Sequence, residues 1–308
     1  MLRNAQHINE IGRKAWGSLQ HESLVSDYDW LLAWEDTQVK QRKICYWWVE
    51  DGQTVSQLLD AIESHCRIHR HALVIRAVPG SDPLLRSVVQ QRRYLEAPGP
   101  PQSVLDIRWH SWREYLRDLK KSHPSTEKSI RMQVNRGRRN GIIIETLDDP
   151  SPYLEEIYTI LAGHFQRKNH APYLMAPGYF QVLKDRLGDR AMIHVARKDK
   201  RIIGVSIYIK YGAVMHWLGF GIADDHVRSR NSVYFNLAFH FPIEQACQNG
   251  TERMVWGTTA YQAKCSRGAR LVPVSNWIWQ PARLLAALQR LPLLYESWRQ
   301  KRKLGRFA

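Results

Sequence analysis

The chain has 308 residues, 44% apolar and 24% charged, which is enough to bury a sizeable core and too hydrophobic for wholesale disorder. Lys and Arg number 45 against 29 Asp and Glu, a formal net charge of +16 that suits polyanionic partners such as nucleic acid, phosphorylated donors or anionic membrane. The N-terminal sequence has no signal-peptide core, and no apolar run approaches the ~18–20 residues of a membrane span. A cytoplasmic chain without integral membrane association is therefore expected, its four well-separated cysteines reading as reduced thiols.

In chain order, residues 29–34 predict an early helix, 44–50 a strand running into the Asp51-Gly52 turn, 55–67 a helix and 72–78 a buried strand closed by Pro79-Gly80. The breaker Ala97-Pro98-Gly99-Pro100-Pro101 marks a boundary. Beyond it the pattern predicts a strand over 103–109, helices over 112–121 and 124–139, a strand over 142–145, and helices over 153–170 and 177–187. Three strands (192–197, 202–210 and 214–221) follow, the first two joined by a hairpin-like turn at Lys198-Asp199-Lys200. A long apolar helix spans 232–248 and ends at Asn249-Gly250. Strands at 254–257 and 272–279 and a basic amphipathic helix from 281 to about 302 complete the chain.

The positive charge is concentrated. Ten Lys/Arg stand against three acidic residues in 107–141, and seven against one in 281–308. On the helix over 124–139, Lys128, Arg131, Asn135 and Arg138 share a stripe, widened by Arg136 and Arg139, beside an inward stripe of Ile130, Val134 and Gly137. Charge runs are usually solvated faces, but this one has almost no acidic partners, and the tail adds Arg299, Lys301, Arg302, Lys303 and Arg306. Two such patches suit a phosphate backbone. An anionic membrane surface, with Leu284, Leu285, Leu288, Leu291 and Trp298 as the apolar side, is the competing reading of the tail.

Three stretches carry a family resemblance: the basic helix 129–139 leading into a strand; Ser232-Val233-Tyr234-Phe235-Asn236-Leu237 opening a helix that ends near Ala246-Cys247-Gln248-Asn249-Gly250; and Trp256-Gly257, Tyr261-Gln262-Ala263-Lys264, Arg267-Gly268. With three consecutive strands, a helix and a further strand, residues 104–280 resemble the GNAT acyltransferase fold and, within it, the FemAB-like branch of Fem-type aminoacyl-tRNA-dependent transferases. The resemblance implies a mixed α/β (α+β) chain of two GNAT-like halves. These are a degenerate N-terminal half over 1–101 and a GNAT acyltransferase domain over 102–280, followed by the basic helix over 281–308.

It also implies an amide-forming N-acyltransferase that takes an aminoacyl group from aminoacyl-tRNA to a small-molecule or peptide amine and needs no cofactor beyond that donor. An acyl-CoA or acyl-carrier-protein donor is the alternative. A non-catalytic RNA- or membrane-binding protein on a decayed scaffold is a third reading. The loop 225–231 has no glycine, unlike the acetyl-CoA loop of GNAT enzymes, and this departure weakens the CoA reading.

Within the resemblance, Lys264, with Tyr261 beside it, is the expected catalytic residue, a desolvated cation for the oxyanion or for a donor phosphate. A helix N-terminus can hold an anion, so Arg228, Arg230, Asn231, Ser232 and Val233 are expected at the donor. Lys128, Arg131, Arg136, Arg138, Arg139, Arg299, Lys301, Arg302 and Lys303 are expected at tRNA. Asp224, Asp225 and His240 are candidate bases, His240 reading better as a core histidine. His65, Cys66, His69 and His71 lack an acidic third ligand and read as exposed histidines on a helix end rather than a metal site.

Overall fold

A computed structural model describes residues 30–35, 42–47, 52–68, 73–80, 82–170, 173, 175, 177–227 and 232–279, and the single positions 291, 294, 295, 298, 299 and 302. The elements run β1 (Trp30–Glu35), β2 (Arg42–Trp47), α1 (Gly52–Ile68), β3 (Leu73–Pro79), α2 (Pro83–Gln91), β4 (Leu95–Pro98), β5 (Gln102–Asp106), α3 (Trp112–Ser122) and α4 (Pro124–Arg139). They continue with β6 (Ile143–Leu147), α5 (Leu154–Asn169), α6 (Gly178–Leu187), β7 (Ala191–Lys198), β8 (Arg201–Tyr211) and β9 (Val214–Ile222). Helix α7 is built of Val233–Phe235, a π-helical stretch Asn236–His240 and Phe241–Gln248. Strand β10 (Arg253–Val255), α8 (Tyr261–Cys265), β11 (Arg270–Val272) and β12 (Val274–Trp279) follow. The helix expected over 29–34 is instead strand β1, paired with β2 in a two-stranded sheet. An isolated stretch that short is a poor helix, and its aromatic-rich sequence suits a strand.

By contacts the chain divides into two compact units, one including Trp47–Gln102 and the residues from Leu271 onward, the other Ala33–Tyr46 and Ser103–Arg270. In the first, β3, β12 and β4 form an antiparallel sheet with β12 in the middle. The first hundred residues therefore do not close this sheet by themselves, and the strand 274–279 groups with them rather than with 102–270. Val55 and Leu59 of α1 and Leu85, Val88 and Val89 of α2 pack with Ile75, Val78, Tyr94 and Trp277. Each such side chain contributes roughly 1.5–3 kcal/mol on burial. Asp82 starts α2 by accepting a hydrogen bond from the Leu85 amide (3.0 Å), with Pro83 at the first helical position.

The second unit carries a seven-stranded sheet in the order β11-β5-β10-β9-β8-β7-β6. Strands β6 to β9 are antiparallel neighbours. Asp199 and Lys200, both at positive φ, turn β7 into β8, the conformation a two-residue hairpin needs. Strand β10 then lies parallel to β9 on one side and antiparallel to β5 on the other. On one face α5 lies directly on β9. A Cβ at Gly221 would come within 2.8 Å of the Ile160 carbonyl oxygen, so this approach requires glycine. Another core gathers Tyr115, Leu116 and Leu119 of α3, Ile130 of α4, Phe239 and Ile243 of α7, and Tyr208, Met215, Met254 and Trp256 from the sheet region.

Candidate active site

The site forms where two parallel strands separate. β9 and β10 pair only over Val214–His216 and Arg253–Val255. Past Val255 the chain stays with β5: the Trp256 amide donates to Ser103 O (2.8 Å), and the Ser103 amide donates to Gly257 O (2.9 Å). Gly257, at φ +70°, then turns the chain away in a conformation L-residues rarely adopt. β9 runs on to Ile222 without β10 beside it, and a wedge opens between the two strands. The Trp217 indole stands at the fork, donating to Ser206 Oγ (3.1 Å) and Gly219 O (3.0 Å).

Lys264 reaches this fork from α8. Its side chain is fully buried, its Nζ donates to the Trp256 carbonyl, and the ammonium lies 5.4 Å from the centre of the Trp217 ring. No carboxylate among the described residues pairs with it. Its pKa falls from 10.5 to about 7, chiefly through burial, with Cys265 acting in the opposite sense and the exposed Lys168 on α5 adding to the fall. Tyr261 is buried one turn earlier at the start of α8.

A second buried cation follows three residues later. Arg267 is 4% exposed and lies over the rings of Phe235 (4.6 Å) and Phe239 (5.0 Å). Nη1 donates to Ala263 O (2.7 Å), and Nη2 reaches Gln133 Oε1 (3.3 Å) and His240 Nε2 (3.4 Å). Its Nε has no partner among the described residues, and burial holds its pKa below the ordinary guanidinium value. Asn236 and His240 bracket the π-helical stretch. Asn236 Nδ2 donates to Gln133 O (3.0 Å), leaving its Oδ1 to accept from His240 Nδ1 (2.9 Å). That assignment leaves His240 Nε2 as an acceptor for Arg267. Burial and the neighbouring guanidinium hold His240 well below 6.5, so it is a neutral core residue occupied on both nitrogens and not a base. Sequence reasoning assigns no role to Trp217 and places Arg267 in the family motif without a role of its own. For Arg267 the available signals are that motif and its place three residues after the lysine.

Other candidates lie elsewhere or outside the described residues. Asp224 pairs with Arg167, and Asp225 with Arg201 (2.8 Å), in a separate cleft of about 580 Å³ also lined by Glu155, Glu156 and Thr159. Arg228, Arg230 and Asn231 lie outside the described residues. Ser232 sits at φ 65° and its side chain caps nothing, while the Val233 side chain packs into a core with Ala196, Ile203, Ile222 and Leu237. On α4, Lys128, Arg131, Arg136, Arg138 and Arg139 are all exposed, above buried Ile130 and Gly137. Arg131 pairs with the buried Glu127, and the other four make no ion pair among the described residues. Arg299 and Arg302 are exposed, whereas Lys301 and Lys303 lie outside the described residues. The side chain of His65 is likewise not described, nor are His69 and His71, and Cys66 is buried. Among the described residues no helix is long and apolar enough to cross a membrane.

The FemAB-like family model, described as peptidoglycan biosynthesis/recognition, matches residues 102–290. Among solved structures, the C-terminal domain of a candidate lysylphosphatidylglycerol synthetase from Agrobacterium fabrum is similar at a TM-score of 0.56 and 14% identity, covering 80% of each chain. FemX is similar at a TM-score of 0.55 and 11% identity, over 86% of this chain and 87% of its own. L-PGS from Bacillus licheniformis follows at 0.53 and 10%, over 86% of each. At these identities the likeness shows a shared mixed α/β, GNAT-like fold. Among curated proteins none matches the chain.

Proposed function

The chain belongs to the FemAB-like family, and on that footing we propose that it transfers an aminoacyl group from aminoacyl-tRNA to an amine, forming an amide. The observation that carries this reading is Lys264, a fully buried ammonium at the β9/β10 fork with no carboxylate partner among the described residues. A cation held in a low-dielectric site, without an anion of the protein's own, is matched to negative charge that a substrate brings or develops. An aminoacyl ester is already activated. The acceptor nitrogen attacks the ester carbonyl, the C–N bond forms, negative charge gathers on the carbonyl oxygen, and the C–O bond to the ribose breaks. The proton lost by nitrogen leaves with the ribose oxygen, which is consistent with the absence of a base beside Lys264 in the described structure. Lys264 would stabilise the oxyanion, with Tyr261 shaping the same wall and Ser232 and Val233 at the donor side. The exposed, unpaired cations of α4 would hold the tRNA backbone.

The test is transfer from charged total tRNA, with mass spectrometry of the acyl species consumed. RNase should abolish product formation, and added CoA thioesters should not restore it. Product that persists after RNase refutes the tRNA donor, and restoration by a CoA thioester favours the alternative. Lys264→Ala, with folding intact, should lose transfer; a wild-type rate removes the site assignment.

A further inference from the structure

The C-terminal segment carries an apolar face that the core does not use. Leu291, Leu294, Tyr295 and Trp298 are helical positions exposed to 60%, 36%, 61% and 53%. Their spacing of three and four residues places them in one strip, an arc of roughly 100° at the α-helical rotation per residue. Tyr295 and Trp298 stack with their centroids 5.9 Å apart. One turn further on, Arg302 continues the strip and lays its guanidinium 5.4 Å from the centre of the Trp298 ring. Arg299 is exposed beside it.

We propose that this face docks on an anionic lipid surface. Two features select that partner. The first is chemistry along the strip: two leucines, a tyrosine and a tryptophan at helical positions spaced by three and four present aliphatic as well as aromatic surface. Acyl chains accommodate aliphatic side chains, whereas nucleotide stacking uses only the aromatic ones. Trp and Tyr are also side chains that settle at the lipid headgroup level. The second is charge. Residues 281–308 hold seven Lys/Arg and a single acidic residue, Glu296, so the apolar strip belongs to a segment that repels cations and attracts anions. Each Lys or Arg close to an anionic leaflet raises partition by roughly fivefold. Arg302, stacked over Trp298, keeps its charged head near the phosphate level while its stem covers the ring. The tail cations expected at tRNA are thereby reassigned to lipid phosphates, and the tRNA contact rests on α4. The inference does not depend on the transferase reading.

Cosedimentation of the full chain with vesicles tests it without any assay of catalysis. The chain should sediment with phosphatidylglycerol vesicles at low salt, much less at high salt, and not with phosphatidylcholine vesicles. Trp298→Ser and Leu294→Ser should each weaken binding to phosphatidylglycerol, the tryptophan change by roughly tenfold given the apolar area it withdraws. Their circular dichroism and thermal melts should match the wild type, because the replaced side chains are exposed. Arg302→Glu should weaken binding and flatten its salt dependence. The proposal is overturned if the chain ignores phosphatidylglycerol vesicles, or if both serine variants bind them as the wild type does. It is equally overturned if vesicle binding is nil and Trp298→Ser instead lowers affinity for total tRNA, or dissociates a dimer seen by light scattering.

Discussion

Replacing Lys264 with Met should make the stability of the protein less dependent on pH. The lysine is fully buried, and its folded pKa of about 7 lies well below the 10.5 of an unfolded lysine. A base whose folded pKa is depressed contributes full stability above the unfolded value. It loses that stability progressively as pH falls from 10.5 to 7, and nothing more is lost below. At about 1.4 kcal/mol per pKa unit, the loss at pH 7 is roughly 4 kcal/mol, and at pH 9 it is roughly 2 kcal/mol. Methionine matches the shape of the stem and carries no charge, so Lys264→Met escapes this loss. It also strips the Trp256 carbonyl of its donor, at about 1–3 kcal/mol with no pH dependence. Urea melts of both proteins at pH 7 and pH 9 therefore isolate the charge: the stability of the variant relative to wild type should fall by roughly 2 kcal/mol between the two. Every other titrating group cancels in the difference. A gap that stays constant across that range would refute the claim that Lys264 sits desolvated without an anion.

The same titration should appear in turnover. Above pH 7 the protonated lysine is lost, so single-turnover deacylation of charged tRNA should fall as pH rises through about 7 in the wild type, and Lys264→Arg, slower overall, should lack that falling limb. Arg267→Met should let the His240 pKa rise while burial keeps it below 6.5, a change readable by NMR titration of the imidazole; an unmoved resonance breaks the proposed contact. Gly221→Ala should destabilise the second unit by roughly 1–3 kcal/mol or more in urea melts, because the new methyl meets the Ile160 backbone rather than a side chain that can move. Arg136→Ala with Arg138→Ala should lower the salt slope of tRNA binding by about 1 per lost phosphate contact, and an unchanged slope places the RNA elsewhere.

The elements from β5 to α7 were legible because they are built locally: largely apolar runs of strand length in β7 and β8, Ser111 capping α3 through the Glu114 amide (3.2 Å), and a hairpin turn between charged residues. The buried face of α4 was legible too, from the spacing of Ile130 and Gly137. Pairing across long sequence distances was not. Nothing near residues 274–279 says that this strand lies between β3 and β4, about 200 positions earlier, because strand partners are chosen by packing and not by local pattern. The short α2 and β4 were missed for the same reason, their identity resting on the core around Trp277. At the site, Lys264 and Arg267 both stand in the family motif, but the motif points to a role for Lys264 alone and says nothing of the burial of Arg267. Its burial follows from Phe235, Phe239 and the π-helical turn that brings Asn236 and His240 to it, a backbone irregularity that hydrophobic spacing does not encode.

The two buried cations are best understood together. Arg267 is embedded in neutral acceptors and aromatic rings, and Lys264 in a carbonyl and an indole. Acidic side chains are not scarce in the second unit: Glu127, Glu145, Glu156, Asp106 and Asp118 all pair with arginines or cap backbone amides. A structural lysine in such a neighbourhood has carboxylates within the fold's reach, and as packing alone the position suits methionine better by roughly 1–3 kcal/mol at neutral pH, the desolvation cost less the lost hydrogen bond to Trp256. Held at the mouth of a wedge between two strands, an ammonium left without an anion is a poor core residue and a good receptor for one. In the proposed transferase, that combination would tie the electrostatic cost at Lys264 to the carbonyl oxygen whose charge rises during acyl transfer.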